Sequence, residues 1–303
     1  MKPNSYIACF RWSSGVLACV FFTAATSGAV YDLNADWSDS ANPNGPWSYN
    51  QGSNPLPHVD AWQGLAGDFT SAQPAWARSA VGNTNLPCWF KSSATVGVVH
   101  DWLAGDVVVH TTDNFNGVGS GSANVTWTSP DDGVVNISGA VWMGRDIGRG
   151  NHWALLHNAS TLAQGDIFSG DAYSRASPFN FTNGSGGAAL LTNQTVAAGD
   201  IIKLQLDKTS SPGDYAGVRF TIQFSPLFRP HITSVEKLTN NLRLTFTSQA
   251  GKDYAIQSRT DVVAGEWTTL PGTTNTAVTT QLQSTLTNAF TFPQQFYRVW
   301  QLP

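Results

Sequence analysis

Six tryptophans lie between positions 37 and 102, many in Pro- and Gly-rich surroundings, and they are the residues that point most clearly to a function. Exposed indole rings stack on the C–H faces of sugars, and Asn, Asp and Gln side chains bind the hydroxyls. The pattern favours a binding site for neutral polysaccharide, with Trp62, Trp76, Trp89 and Trp102 as candidate ligand-binding residues. The alternative, which is the commoner role of a single tryptophan, is that the rings fill the protein core.

Carboxylates could also carry chemistry, since most glycosidases use a pair of Asp or Glu side chains. The two glutamates, Glu236 and Glu266, both lie in the C-terminal third. The adjacent Asp131 and Asp132 belong to Ser129-Pro-Asp-Asp-Gly133, a composition typical of a tight turn. The usual serine-hydrolase, zinc-protease and phosphate-loop motifs are absent, so we assign no catalytic residue. A polysaccharide hydrolase is therefore an alternative that would depend on aspartates, the pool being Asp68, Asp101, Asp146, Asp166 and Asp171.

Potential metal ligands do not form a recognisable pattern. The spacing of the six histidines does not bring three or four of them together as a zinc site requires; they are His58, His100, His110, His152, His157 and His231. Cys9 and Cys19 precede the predicted signal cleavage site, so Cys88 would be alone in the mature chain, which excludes an internal disulfide. We expect no cofactor. Binding of Ca²⁺ by the Asp-rich turns is kept as an alternative, although no Asp-x-Asp-x-Asp-Gly loop supports it.

The composition excludes several classes of protein. Charged residues make up 12% of the 303 residues, and the formal net charge is −4. The chain is poor in Glu and Lys and rich in turn-forming residues, so a helical bundle or coiled coil is excluded. The negative charge and the lack of a Lys/Arg cluster exclude a nucleic-acid partner. A hydrophobic content of 41% supplies a core, which leaves an all-β globular protein as the expected class.

The N-terminus has the features of an export signal. Lys2 and Arg11 precede an apolar stretch at 16–25, which is too short to span a bilayer and suits the hydrophobic region of a signal peptide. Small residues at 27–29 predict cleavage after Ala29. No later run is long enough for a membrane helix. We therefore expect a secreted protein without a transmembrane segment, and its acidity and lack of disulfides indicate a bacterial source.

Prolines at 226 and 230 interrupt strand pairing and predict a boundary between two domains. Residues 1–29 would be the signal peptide, 30–226 a large β-sandwich of jelly-roll type, and 227–303 a small fibronectin-III-like or immunoglobulin-like sandwich. Strands of the large domain are predicted at 96–100, 106–110, 123–128, 134–142, 152–157, 189–192, 201–206 and 218–224. Those of the small domain are predicted at 232–238, 242–248, 253–259, 267–270, 277–283 and 296–300.

Motifs of the large domain resemble a β-sandwich module of exported proteins from planctomycetes, verrucomicrobia and other bacteria. They stand in the module's order and cover roughly residues 31–224: Asp36-Trp-Ser38, Asn42-Pro-Asn-Gly-Pro-Trp-Ser-Tyr49, Trp127-Thr-Ser-Pro130 with Gly133, and Ala197-Ala-Gly-Asp200. The sequence departs from the module at Asn50, where Gly is usual, and at His100-Asp101, where His-Pro-Gly is usual. The resemblance implies a sandwich fold and brings no catalytic residue.

The C-terminal part resembles the terminal β-domain of many secreted verrucomicrobial proteins. The resemblance rests on Tyr254-Ala-Ile-Gln-Ser-Arg-Thr-Asp261, Trp267 and the closing Phe296-Tyr-Arg-Val299. It implies a small fibronectin-III-like or immunoglobulin-like domain and again brings no catalytic residue.

Three hypotheses about function follow. The first is a secreted, non-catalytic protein whose large domain binds carbohydrate or another cell-surface component, with the small domain as spacer or attachment module. The second is the Asp-dependent hydrolase, and the third is a structural protein of the surface or matrix. Exposed tryptophans in a row would favour binding, and two carboxyls about 5–10 Å apart in a cleft would favour hydrolysis. Buried tryptophans without a pocket would favour the structural role.

Overall fold

The computed structural model describes residues 28–63, 72–78, 86–93, 100–112, 122–209, 212–261, 264–290 and 295–302. These residues form two compact units, one ending at Leu227 and the other beginning at Phe228. They contain strands and two short 3₁₀ turns, Phe181–Asn183 and Ala188–Leu191, but no α-helix, which confirms the all-β prediction. No helix within these ranges could cross a membrane. The predicted signal peptide up to position 27 and most of the predicted strand at 96–100 lie outside them.

The strands of the large unit are, in chain order, β1 (Ala29–Asp32), β2 (Trp47–Gln51), β3 (Asn54–Pro55), β4 (His58–Trp62), β5 (Gln73–Ala77), β6 (Cys88–Lys91), β7 (Val107–His110), β8 (Ala123–Thr128), β9 (Gly133–Met143), β10 (Gly150–His157), β11 (Ser160–Phe168), β12 (Phe179–Asn180), β13 (Gln194–Val196), β14 (Ile201–Lys208) and β15 (Tyr215–Pro226).

Two antiparallel sheets make up the large unit. The six-stranded sheet has the order β11-β10-β14-β8-β2-β3. The nine-stranded sheet has the order β12-β9-β15-β7-β6-β5-β4, with β1 added beside β15 and β13 beside β9. One apolar core contains Val125 and Leu204 from the first sheet and Val141 and Ile222 from the second. This arrangement is a β-sandwich, in which alternate residues of each strand point into the core.

The turn predicted from Ser129-Pro-Asp-Asp-Gly133 is confirmed. β8 ends at Thr128, and β9 begins at Gly133. The Ser129 hydroxyl donates a hydrogen bond of 2.7 Å to the backbone carbonyl of Asp131, as short polar side chains do in tight turns. This turn brings the chain from the six-stranded sheet to the nine-stranded sheet.

A second apolar cluster covers the outer side of the nine-stranded sheet. On β7, Val107 and Val109 belong to the core between the sheets, whereas Val108 belongs to this outer cluster. Strands β5, β6 and β7 are therefore buried on both faces. The members of the outer cluster are Trp62, Ala75, Ala77, Leu86, Cys88, Phe90, Trp102, Val108 and Tyr215.

The small unit is a second sandwich. Its strands are β16 (Ile232–Leu238), β17 (Asn241–Thr247), β18 (Asp253–Arg259), β19 (Thr268–Thr269), β20 (Asn275–Thr276), β21 (Gln281–Leu286) and β22 (Phe296–Gln301). One sheet has the order β16-β17-β21, and the other has the order β19-β18-β20 with β22 paired to β18. Leu244 and Phe246 pack against Tyr254 and Ile256 in its core, which agrees with the predicted fibronectin-III-like or immunoglobulin-like domain.

Two predicted strands differ from the observed structure. The segment predicted at 189–192 is the 3₁₀ turn Ala188–Leu191, which follows Gly187 at a φ of 62° and buries Leu191. The strand predicted at 277–283 begins later, as Gln281–Leu286, because residues 278–280 form a bend. In both segments a single buried apolar side chain, rather than regular alternation, produced the sequence signal.

Candidate functional site

The four candidate tryptophans are buried, with exposed fractions of 1% for Trp62, 4% for Trp76, 0% for Trp89 and 2% for Trp102. Trp76 and Trp89 are register partners on β5 and β6 and belong to the core between the sheets. Trp62 and Trp102 belong to the outer cluster on the opposite side of the same sheet. This placement leaves none of the four candidate rings exposed to a ligand and agrees with the alternative that they fill the protein core, where each indole removes a large apolar area from water.

The aspartates of the hydrolase alternative make separate local contacts. The Asp101 carboxylate accepts a hydrogen bond of 2.6 Å from a backbone N–H in the loop after β11. Asp171 accepts two backbone N–H groups in the turn that follows β11, and Asp166 pairs with a histidine of β10. Asp146 is exposed, and Asp68 lies outside the described ranges. Three of the five carboxylates therefore have structural partners within strands and turns.

The histidines contact single aspartates. Within the described ranges, no group of three or more His, Cys, Asp and Glu side chains is arranged to hold a metal ion. Three histidines each contact one carboxylate instead, in the pairs His58–Asp60, His152–Asp166 and His157–Asp200. Cys88 is a buried free thiol.

The side of the six-stranded sheet that faces away from the core is polar and is the candidate site. On β14, Leu204 and Leu206 point into the core, so Gln205 and Asp207 point outward because side chains alternate along a strand. The register of β10 with β11 and with β14 aligns the outward residues of the three strands in transverse rows. This alignment determines which side chains can contact one ligand together.

A shallow, interrupted groove lies along β10: two of its four outward positions, Gly150 and Ala154, have little or no side chain, and the other two are His152 and Leu156. Gly150 lies opposite Phe168 of β11, and Ala154 lies between Gln164 of β11 and Gln205 of β14. Neighbouring strands are about 4.8 Å apart, so the two walls stand roughly 10 Å apart. We call this groove the β10 trough: its floor is the outward side of β10, and its walls are the outward side chains of β11 and β14.

Phe168 supplies an aromatic surface at one end of the β10 trough. Its side chain is 54% exposed, and the other aromatic residues in the described part of the large unit are buried or half-buried. The backbone N–H of Phe168 donates a hydrogen bond of 2.7 Å to Asp171, which fixes the end of β11. Gly150 has no side chain, and Thr209 packs over it beside the ring, so Gly150 is itself buried.

Polar side chains line the rest of the trough. Gln205 donates a hydrogen bond of 2.7 Å from Nε2 to Oδ2 of Asp207. His152 lies in the floor, and its Nδ1 is 2.8 Å from Oδ1 of Asp166 on the β11 wall. Gln164 is exposed. The walls therefore offer amide donors and acceptors together with two carboxylates and the ammonium group of Lys203 on β14, a set suited to sugar hydroxyls.

In the row of Gln205, the accessible part of this face ends at β14. The next residues in the row of Gln205 are Asn124 on β8 and Asn50 on β2. They are 1% and 5% exposed, and the Asn50 amide donates a hydrogen bond of 3.2 Å to the Asn124 side chain. Their amides therefore stabilise the sheet, and in this row the accessible side chains are those of β11, β10 and β14.

Buried polar residues anchor the Gly150 end of β10. The amide of Asn151 accepts a hydrogen bond of 2.8 Å from Thr111 and donates one of 3.3 Å to the backbone carbonyl of Asp214. The Asp214 side chain is fully buried and pairs with Arg145 at 2.9 Å. Burial raises the pKa of Asp214, while the positive charge of Arg145 opposes this change. The ionised form of the Asp214 carboxyl is therefore stabilised by the positive charge of Arg145.

A second carboxylate anchors the other end of β10. Asp200 lies 3.0 Å from His157 and accepts hydrogen bonds from the Asn158 amide and the Ala197 backbone N–H. Burial alone would raise the pKa of Asp200. These hydrogen bonds and the charge of His157 outweigh burial and lower that pKa. Both ends of β10 are thus held in place, which gives the trough a fixed shape.

Sequence reasoning missed β11 and therefore missed Phe168 and Gln164. Leu162 and Ala163 are adjacent buried residues, and the register shifts at Leu155/Leu156, so the segment lacks clean alternation. One signal was available: Asn158, at a φ of 53°, lies in the two-residue loop between β10 and β11. Asn is favoured where a hairpin loop needs a positive φ, so Asn158 is a sequence signal for a hairpin between β10 and β11.

A scan against protein-family models and a search of the curated proteins find no match. Two solved structures show a likeness to the chain. One is the N-terminal CBM22-1-CBM22-2 tandem domain of Xyn10C from Paenibacillus barcinonensis, at 12% identity and a TM-score of 0.26, covering 93% of this chain and 92% of that chain. The other is a beta-1,2-glucanase from Parabacteroides distasonis, at 9% identity and a TM-score of 0.23, covering 99% of this chain and 37% of that chain. Likenesses at these TM-scores carry no argument about function, which therefore depends on the residues of the trough.

Proposed function

We propose that the chain is a secreted, non-catalytic protein whose large unit binds a neutral polysaccharide or cell-surface glycan in the β10 trough. The observation that carries this proposal is the combination of the exposed ring of Phe168 with the outward amides of Gln164 and Gln205 on the two walls. An aromatic face packs against sugar C–H groups, and amides both donate to and accept from sugar hydroxyls.

The charge of the large unit favours a neutral ligand. Residues 28–227 contain eight Lys and Arg against sixteen Asp, a formal charge of −8. Asp166 and Asp207 place carboxylates on opposite walls of the trough. Like charges repel across such short distances, so a uronic-acid or sulfated chain would be disfavoured there.

Rigid strands support binding by a preformed surface. The walls and floor of the trough belong to three hydrogen-bonded strands, and both ends of β10 are anchored by buried or half-buried polar contacts. A preformed site loses less conformational entropy on binding than a flexible loop does. The burial of the four candidate tryptophans is the result expected for a structural role, so the binding proposal depends on this polar surface alone.

The extracellular location of the protein and the separate roles of its two units are proposals as well. The apolar stretch at 16–25 supports export, and the motif resemblance supports a bacterial surface or extracellular protein. In this scheme the small unit serves as a spacer or attachment module. The local partners of Asp101, Asp166 and Asp171 favour binding over hydrolysis, because these carboxylates stabilise turns and strand pairs.

The test is a glycan array and an insoluble-polysaccharide pull-down with the full mature chain, with and without Ca²⁺. We expect binding to a neutral glycan, weakened about tenfold in Phe168→Ala because about 1.4 kcal/mol of ring contact is lost. Phe290→Ala is the matched control, since it removes a 38% exposed ring from the small unit. Absence of binding to every glycan would overturn the proposal in favour of a structural role. Loss of binding with a chelator would add a metal to the site.

A further inference from the structure

The small unit carries a layered set of guanidinium and indole groups on one sheet. The guanidinium carbons of Arg259 and Arg298 lie 4.5 and 4.6 Å from the ring centroid of Trp267. Arg298 also lies 4.9 Å from the ring centroid of Trp300. Two cations and two aromatic rings thus alternate in direct contact. We call these four side chains the Arg–Trp stack.

Strand register places the Arg–Trp stack on the outer side of its sheet. On β18, Tyr254 and Ile256 belong to the core of the small unit, so Arg259 points away from it by alternation. On β22, Tyr297 is likewise a core residue, so its neighbour Arg298 points outward. All four residues of the stack are half-buried, so they are packed against one another and still reach solvent.

The two guanidinium groups are close enough to influence each other. Burial and, next, the positive charge of Arg259 lower the pKa of Arg298. The side chain of Gln257 accepts a hydrogen bond of 2.8 Å from Nε of Arg298, which fixes the direction of that guanidinium. Two neighbouring guanidinium groups, of which Arg298 is oriented by Gln257, form a place where a bound anion is favourable, since guanidinium groups match carboxylate and sulfate geometry.

The charge of the whole small unit agrees with this local picture. Residues 228–303 contain six Lys and Arg against four Asp and Glu, a formal charge of +2, whereas the large unit carries −8. The acidic residues nearest in sequence to the stack, Asp261 and Glu266, are exposed, and Asp261 caps the N–H of Ala264. The chain therefore joins an acidic unit to a basic one, and the two units suit ligands of different charge.

We propose that the Arg–Trp stack is a binding site for an acidic polysaccharide, with Arg259 and Arg298 taking its carboxylate or sulfate groups and Trp300, which has a guanidinium group on one side only, packing against its sugar rings. The site is separate from the β10 trough and does not depend on it. This choice of ligand rests on the export proposed above, which makes acidic polysaccharide, rather than nucleic acid, the anionic polymer the protein would meet. The geometry supplies both elements that such a ligand requires: fixed positive charge and adjacent aromatic surface.

The experiment measures affinity of the full mature chain for polygalacturonate and for dextran sulfate, which separate carboxylate from sulfate recognition, over a range of salt concentrations. We expect binding to at least one, weakening as salt rises. Arg259→Gln should reduce the affinity about tenfold, as expected for the loss of one charge-assisted contact. Arg259→Lys keeps the charge without the planar group, and an intermediate loss is expected.

Two controls make the outcome decisive. Arg243→Gln removes the same charge from the small unit at a position paired with Glu236, and its affinity should stay within about twofold of the wild type. Phe168→Ala should retain acidic-polysaccharide binding, so failure of the trough proposal and failure of this one are distinguishable. Thermal unfolding of each variant shows whether it is folded. Absence of wild-type binding to both polymers, an equal loss in Arg243→Gln, or tighter binding to single-stranded DNA would overturn the proposal.

Discussion

Phe168 and Gly150 are register partners at the end of the β10–β11 ladder, so the exposed ring adjoins a position without a side chain. A Cβ at position 150 would lie 2.6 Å from Oγ1 of Thr209 and 3.1 Å from Cβ of Phe168. The glycine therefore allows Thr209 to pack closely over β10 beside the exposed ring.

Gly150→Ala is expected to lower the free energy of unfolding by about 1–2 kcal/mol, because the added methyl group crowds Thr209 and Phe168. Urea unfolding measures this change. The double variant Gly150→Ala/Thr209→Ala removes the shorter contact and should recover most of the loss. A single variant as stable as the wild type would show that the walls are not closely packed at this end.

The indole N–H groups of two core tryptophans differ in their partners, which allows a matched comparison. Trp76 donates a hydrogen bond of 2.9 Å to the backbone carbonyl of Ser38, whereas among the described residues the buried Nε1 of Trp89 has no partner. Trp76→Phe should therefore destabilise the protein by about 1 kcal/mol more than Trp89→Phe. Equal losses in thermal or urea unfolding would contradict the assigned orientation of the two rings.

The Arg145–Asp214 pair is expected to be costly to break, since its side chains are 11% and 0% exposed. Arg145→Met leaves a buried carboxylate without its counter-charge, which should lower the free energy of unfolding by about 3–5 kcal/mol. The matched control is Arg243→Met, which breaks a pair with side chains 39% and 53% exposed and should cost less than about 1 kcal/mol.

The pH dependence of the same variant gives a second test of this pair. Burial raises the pKa of Asp214, and loss of Arg145 should raise it further. A carboxyl group with a raised folded-state pKa is stabilised by protonation, so the deficit of Arg145→Met should shrink as pH falls towards that pKa. A deficit that is constant with pH would mean that lost packing, rather than lost charge, destabilises the variant.

For Asp200 we predict the opposite dependence of stability on pH. Its lowered pKa means that the ionised form stabilises the fold, fully above the ordinary aspartate pKa near 3.9 and progressively less as pH falls through the lower folded-state value. Asp200→Asn should lower the free energy of unfolding by about 1 kcal/mol near neutral pH. Urea unfolding between about pH 5 and about pH 2 should show this difference disappearing. If the difference persists at the acid end, the carboxylate charge is not its source.

Several strands that the sequence predicts have one face in the core, and β7, which is buried on both faces, is also predicted because of its run of β-branched valines. β8 and β14 alternate core and outward residues, and the Asp-Asp-Gly turn before β9 is explicit, so these elements could be placed closely. β6 could not, because Cys88, Trp89 and Phe90 are all buried, alternately in the outer cluster and in the core between the sheets. A strand covered on both faces lacks the alternation of apolar and polar residues by which strands are predicted.

The candidate site could not be predicted from the sequence for a related reason. Which face an indole takes depends on the pairing of strands that are distant in the chain, as the separate locations of Trp76 and Trp102 show. The trough is formed by register: Gln164 and Gln205 are 41 positions apart, and only the pairing of both with Ala154 brings them to one row. Pairing of this kind is a long-range property that local patterns do not encode.

The most direct test of the central claim is to fill the β10 trough and measure glycan affinity. Ala154→Tyr places a large side chain in the floor between Gln164 and Gln205, pointing away from the core. The matched control is Ser138→Tyr, at an exposed position of β9 in the other sheet. We predict that Ala154→Tyr lowers the affinity for the bound neutral glycan more than about tenfold, while Ser138→Tyr leaves it unchanged and both variants stay folded. A folded Ala154→Tyr variant that binds like the wild type would contradict the account.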